Sequence, residues 1–190
     1  MEKIKLGFAL CGSFCTFSKA IPQVRYLVDM GYDVTPVMSF YAYELDTRFG
    51  KAADFVAQLE EITGHSVLHT IEETEPVGPK KMFDLLVVAP CTGNTLAKLA
   101  LGIVDTPVTM AVKSHLRNGR PVLIAVSTND ALSNSAKNIG ALLNRRHYYF
   151  VPMAQDNHEK KPTSVVADFE KIPEAITAAL AEKQLQPVLL

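Results

Sequence analysis

Asp84-Leu-Leu-Val-Val-Ala-Pro-Cys-Thr-Gly-Asn-Thr-Leu-Ala-Lys98 decides the fold, because it reads as a strand, a sharp turn and a helix in immediate succession. Residues 85–89 form an unbroken apolar run, the pattern of a strand covered on both faces. Pro90 lacks an N–H for the ladder and is expected to stop that strand. Thr92, Asn94 and Thr95 are suited to capping the helix that follows. Such a turn aims backbone N–H groups and hydroxyls outward at a helix N-terminus, which suits an anionic or carbonyl-rich ligand. A capped βα turn with no ligand would carry the same residues.

The same alternation extends in both directions. Strands are expected over 4–10, 33–38, 85–89, 121–126 and 148–151, with a short extension or edge strand over 66–69. Helices are expected over 18–30, 49–62, 95–101, 107–116, 130–143 and 165–182, the last with a break at Pro173. Gly31 and Gly64 follow two of these helices as stops, and Pro22 falls early enough in the first to be tolerated. No repeat or low-complexity segment interrupts the series. The expected fold is a single three-layer α/β domain over 1–190, with a doubly wound parallel sheet, Rossmann-like or flavodoxin-like.

Composition narrows the function. With 190 residues, 48% of them hydrophobic, and a net charge of −1, the chain can bury one sizeable core and lacks the basic surface of a nucleic-acid binder. No apolar run approaches the length of a membrane span. The N-terminus enters a strand without a secretory h-region, and the three cysteines have no disulfide spacing, so a reducing cytoplasm is expected. Cys11 and Cys15 have no second cysteine pair and no histidine at ligand spacing, so no metal site is expected.

In parallel sheets of this kind, ligands bind at the carboxyl ends of strands, near the point where strand order reverses. Four loops lie there: Cys11-Gly-Ser-Phe-Cys-Thr16, Ser39-Phe-Tyr-Ala42, 90–94 and Ser127-Thr-Asn-Asp130. All four are rich in small hydroxyl or amide residues. The first turn lacks Gly-x-Gly-x-x-Gly, which disfavours autonomous NAD(P) binding, and no P-loop pattern occurs. FMN needs only one phosphate nest and a flat slot for its ring, and hydroxyl-rich loops can supply both.

Pro90-Cys-Thr-Gly-Asn-Thr95, followed by Leu-Ala-Lys-Leu-Ala-Leu-Gly-Ile-Val-Asp105, resembles the Pro-Ala-Ser-Ala-Asn-Thr signature of the flavoprotein family. That family contains homo-oligomeric flavin-containing cysteine decarboxylases and flavin prenyltransferases. Glu75-Pro-Val-Gly-Pro-Lys-Lys81, Asp105-Thr-Pro-Val-Thr-Met110, Ser127-Thr-Asn-Asp-Ala-Leu132 and Gln155-Asp-Asn-His-Glu-Lys-Lys-Pro162 narrow the resemblance to one branch of it. The resemblance implies FMN, and a site built from Gly12, Ser13, Ser39, Pro90, Thr92, Asn94, Thr95 and Asn129. Thr92, Asn94 and Thr95 would hold the polar edge or ribityl chain, and Gly12 and Ser13 would lie nearer the phosphate. The branch further implies oxidation of a small cyclic dicarboxylate in the mother-cell cytoplasm of a spore-forming bacterium, an NAD(P)-linked partner protein, and a homo-oligomer of trimeric habit; the alternatives are a flavin-dependent decarboxylase or flavin prenyltransferase, or a non-catalytic subunit that stabilises the partner.

The departures from the family are informative. The decarboxylases carry a His upstream of the signature; an ungapped count places Pro76 there, with His69 several residues early. Of their Pro-x-Met-Asn-x-x-Met-Trp motif only Asn129 remains, and their Ser-Gly-Arg-Tyr clamp is absent, so cysteine-peptide decarboxylation is not expected. The weak catalytic candidates are His69 and Cys91, the latter because a helix N-terminus lowers a thiol's pKa. Asn157-His158-Glu159-Lys160-Lys161 reads as a solvated charged loop; the alternative is that Lys160 and Lys161, following the fifth strand, attract a dicarboxylate.

Overall fold

The computed structural model describes residues 3–190. In chain order the elements are β1 (Lys5–Leu10), α1 (Phe17–Asp29), β2 (Asp33–Met38), α2 (Phe40–Glu44), α3 (Ala52–Thr63), α4 (Ile71–Thr74), β3 (Leu85–Cys91), α5 (Gly93–Leu101), α6 (Pro107–Leu116), β4 (Val122–Thr128), α7 (Ala136–Leu143), β5 (Tyr148–Phe150), β6 (Met153–Asn157), β7 (Lys161–Ala167) and α8 (Ile172–Leu180). The sheet order is β2-β1-β3-β4-β7-β6, with β5 also paired to β4. Strands β1 to β5 pair in parallel. This is the doubly wound, three-layer α/β fold expected from the alternation. Right-handed crossovers send α1 to one face of the sheet and α5, α6 and α7 to the other. Accordingly α1 packs with α8, and α5 packs with α6 and α7.

The core follows from the apolar runs. Every residue of β3 is buried, as are the inner five of β1 and all of β4 except Thr128. The first helix buries Phe17, Ala20, Ile21, Val24 and Leu27, spaced three or four apart on one face. Among the polar residues buried with the core, one is ionisable. His115 on α6 is 0% exposed, and its Nε2 donates to the carbonyl of Pro121 at 3.0 Å while Nδ1 has no partner among the described residues. Burial pushes its pKa down to about 4.

Four expectations are corrected. Pro90 does not stop β3, which runs on to Cys91. The register with β4 shifts between Val88 and Cys91, and this irregularity passes Pro90 through the ladder without requiring its N–H. Its carbonyl accepts from the Cys11 amide at 3.2 Å. The helix expected over 130–143 is confined to α7, because 130–135 is a turn in which Ser133 N and Ser135 N both donate to the Asp130 carbonyl. The charged segment 157–161 is the tip of an antiparallel hairpin, β6–β7, and 165–167 is strand rather than helix. Asp168 marks the true boundary, its side chain accepting from the Glu170 amide. The expected 66–69 edge strand is reduced to one parallel bridge, Val37 to Leu68.

Each end of the sheet carries one added bridge. At the β2 end, Met38 N donates to Leu68 O and Leu68 N to Pro36 O. At the β6 end, Met153 N donates to Val188 O and Leu190 N to Met153 O. On β4 the side away from β3 is divided: Val122–Ile124 pair with β5, and Ser127 and Thr128 pair antiparallel with β7. The hairpin is thereby fastened to the carboxyl end of β4, where ligands bind in such sheets.

Candidate flavin site at the sheet switch point

Strand order reverses between β1 and β3, and a cavity of about 510 Å³ opens there. That volume lies within the ordinary range for cofactor sites. Its walls come from the carboxyl ends of three strands. Cys11 and Gly12 follow β1; Ser39, Phe40 and Tyr41 follow β2; Thr92, Asn94 and Thr95 follow β3; and Lys98, Asp105 and Thr106 close the far side.

Each wall is set by local chemistry. Thr92 caps α5, its hydroxyl accepting from the Thr95 amide at 3.4 Å and lying 3.1 Å from the Thr95 hydroxyl. The first amides of any helix have no intrahelical acceptor, so those of Gly93 and Asn94 are available to a ligand. The Thr95 hydroxyl donates to Cys11 Sγ at 3.3 Å and ties β1 to α5. Ser39 caps α2 by accepting from the Ala42 amide, which holds Phe40 and Tyr41 against the cavity. Gly12 leaves the β1 wall as bare backbone. A Cβ there would meet Phe14 at 3.5 Å and Tyr41 at 4.0 Å, so it would fit only by taking space from the cavity. Lys98 Nζ reaches both carboxylate oxygens of Asp105, at 2.7 and 2.9 Å, so this wall carries a closed ion pair.

Behind the α5 N-terminus lies a second polar cluster. Asp130 Oδ1 accepts from Thr128 Oγ1 at 2.6 Å and from Ser135 Oγ at 2.9 Å, and these bonds lower the carboxyl's pKa. A Cβ at Gly93 would lie 2.7 Å from Asp130 Oδ1 and 2.8 Å from each of the two hydroxyls. The family signature has Ala at this position; here the Asp130 cluster occupies the space that methyl would need.

The structure gathers Gly12, Ser39, Thr92, Asn94 and Thr95 around the larger cavity. Ser13 and Asn129 lie instead on a neighbouring cavity of about 190 Å³. Pro90 is a buried strand residue bordering neither. His69 stands off the cavity. Its ring stacks on Tyr43 with centroids 3.7 Å apart and planes 6° apart, and Nδ1 lies 3.4 Å from Glu73 Oε2. Cys91 is fully buried, and desolvation drives its thiol pKa well up. This is opposite to the depression expected at a helix N-terminus, because the side chain faces the core. Cys11 is likewise raised, to about 11. Neither buried thiol is a ready nucleophile.

Phe40 and Tyr41 border the larger cavity from the second of the four expected loops, whereas Lys98, Asp105 and Thr106 border it from outside all four. Thr106 carries a signal. It precedes Pro107 and forms a reciprocal cap with Thr109, so the start of α6 is readable. Nothing local marks the Lys98–Asp105 pair, which only the turn between α5 and α6 brings together.

A family model described as Flavoprotein matches residues 1–180. The chain is 42% identical over 186 residues to the B-type subunit of dipicolinate synthase from Bacillus subtilis (strain 168), an alignment covering 98% of this chain and 93% of that one. The crystal structure of the corresponding B-type dipicolinate synthase subunit from Bacillus halodurans C matches with a TM-score of 0.91 and 41% identity, covering 100% of this chain and 98% of that one. The crystal structure of SpaF, described as an FMN-dependent cysteine decarboxylase, matches with a TM-score of 0.67 and 25% identity, over 94% of this chain and 96% of that one. The chain belongs to the Flavoprotein family.

Proposed function

We propose that this chain is the FMN-binding subunit of a dipicolinate synthase. In this reading it oxidises a dihydro- or hydroxytetrahydro-dipicolinate to pyridine-2,6-dicarboxylate together with the synthase's other, A-type subunit, which carries NAD(P). The observation that carries the proposal is the hydroxyl- and amide-lined cavity at the β1/β3 switch point, in a chain 42% identical to a B-type dipicolinate synthase subunit. The residues fit the cofactor. Thr92, Asn94 and Thr95 offer hydroxyl and amide partners to a ribityl chain or the ring's polar edge. Gly12 and Ser39 offer backbone and hydroxyl toward a phosphate, and Phe40 and Tyr41 offer apolar surface to a planar ring.

Water leaves first from the hydroxylated substrate. Aromatisation then removes two electrons and two protons from the ring, so an acceptor is required. FMN, when bound, supplies that two-electron acceptor. The protein's part is to fix the ring of the substrate beside the cavity and to shield the reacting atoms from water. Because the first turn lacks the dinucleotide glycines, passage of electrons to a nicotinamide is assigned to the A-type partner. A mother-cell cytoplasmic location and a homo-oligomer belong to the same reading.

The visible spectrum of the purified protein, with and without added FMN, tests the cofactor. A flavin band that survives desalting is expected. Mixing with the A-type partner should give a stable complex burying at least about 1,000 Å², with dipicolinate formed only when both proteins are present. Full activity from the partner by itself, with the two proteins eluting separately on sizing, would defeat the shared-enzyme reading.

A further inference from the structure

The smaller cavity, about 190 Å³, lies directly beside the larger one, across the loop that follows β1. Gly12 borders one cavity and its neighbour Ser13 the other. The smaller is bordered by Lys19 of α1, Ser127 to Asn129 at the end of β4, and Asp156, Lys161 and Ser164 of the β6–β7 hairpin.

The donors and acceptors in it are not balanced. Thr16 Oγ1 donates to Ser13 O at 2.7 Å, Ser127 Oγ donates to Thr16 Oγ1 at 3.4 Å, and Ser13 Oγ lies 2.9 Å from Ser127 Oγ. With Ser127's proton committed to Thr16, Ser13 must donate to Ser127. Thr128 donates to Asp130. These hydroxyl protons are therefore all used within the protein. Four side chains keep donors free among the described residues. The Lys19 ammonium and the Asn129 amide have no partner, and Lys161 makes one ion pair, with Asp156 at 2.6 Å. Ser164 borders the cavity, and its hydroxyl makes no hydrogen bond to any described residue. Two lysines against one aspartate also leave the cavity with a net positive charge.

The geometry points to this cavity as the site for the carboxylates of a small cyclic dicarboxylate, bound by Lys19, Lys161, Asn129 and Ser164 beside the flavin cavity. It rests on the reading of the larger cavity as the flavin's, since that neighbour is what would place the substrate ring against an electron acceptor. The small volume suits one six-membered ring rather than a second nucleotide. The hairpin supplies two of the four contacts and is held to β4 through Ser127 and Thr128.

Equilibrium dialysis of dipicolinate against the FMN-free and FMN-loaded chain, at fixed ionic strength, tests the assignment. Saturable binding is expected, weakened about tenfold or more by Lys19→Met and also by Ser164→Ala. FMN affinity, read separately by flavin fluorescence, should be unchanged in both variants. Picolinate, with one carboxylate, should bind more weakly than dipicolinate. Absence of dipicolinate binding by a flavin-loaded chain would overturn the proposal while leaving the flavin reading intact. Undiminished binding in both variants, each folded by circular dichroism, would overturn it equally. Lysine-dependent dipicolinate binding in a chain that takes no FMN would support this cavity and defeat the flavin reading instead.

Discussion

Asn94 is the residue on which the flavin reading is most exposed to test. Its side chain borders the cavity on the first turn of α5 and has no bond to any described residue. Asn94→Ala therefore removes a ligand contact without breaking an internal one. FMN affinity should fall by about 1–3 kcal/mol, the cost of one unmade buried hydrogen bond, measured by fluorescence titration. An unchanged dissociation constant would take Asn94 out of the site. His115 carries a prediction independent of any ligand. Its folded pKa, about 4, lies below its ordinary value. Between pH 6.5 and 4 the unfolded chain binds a proton at this residue that the folded chain refuses. Stability from this source is complete above pH 6.5 and declines as pH falls, by up to about 3 kcal/mol near pH 4. Urea midpoints at about pH 5 and about pH 7 should differ less in His115→Gln than in the parent chain. Equal pH sensitivity in the two proteins would clear His115 of that role.

At the level of elements, Gly93 shows why a motif match is not a site match. The family's Ala at this position needs a methyl-sized space, and the Thr128–Asp130–Ser135 cluster fills it. Gly93→Ala should displace the N-terminal turn of α5 or break the cluster, at about 1–3 kcal/mol of stability. Denaturant unfolding is the check, and Asp130→Ala in the same background should recover part of the loss. A stability equal to the parent's would mean that the cluster yields freely. Elements with a dense apolar signal are legible in the sequence: β3, β1, β4 and the α1 face all announce themselves by period or run length. The β6–β7 hairpin does not. Its residues 155–162 are polar, charged or proline, and it is a strand pair only because Ser127 and Thr128 give β7 a ladder to join. Val165 and Val166 read naturally with the alanine-rich helix beyond them, although Asp168 caps the later start. Helix α2 is too short for periodicity to register, so its Ser39 cap looks like part of a loop. The four ligand loops do lie at strand ends, as their small polar residues imply. Their division between two cavities is not readable, since it depends on where the backbone turns between Gly12 and Ser13.

For the whole molecule, the relation to flavin-dependent decarboxylases makes one negative result worth measuring. Pro76, at the ungapped position of the decarboxylase His, has no ionisable group and lies in a short 3-10 turn at 75–77, away from the cavity. His69 packs on Tyr43 rather than on the cavity wall. The expected outcome is that a peptide ending in cysteine releases no carbon dioxide above background, even with FMN bound, since binding and chemistry use different residues. Release at a catalysed rate would show that some other group has taken over the role of the missing His.

The bridged margins of the sheet bear on solubility. A bare edge strand offers unpaired N–H and C=O groups to any extended chain and so seeds sheet-to-sheet association. Here Leu68 bridges Val37 at one margin, and Val188 and Leu190 bond the amide and carbonyl of Met153 at the other. Residues 188–190 therefore act as a guard strip over the start of β6. A change that pulls residues 188–190 off β6 spares every residue lining the two cavities and should still raise light scattering on concentration; unchanged scattering would show that this strip guards nothing.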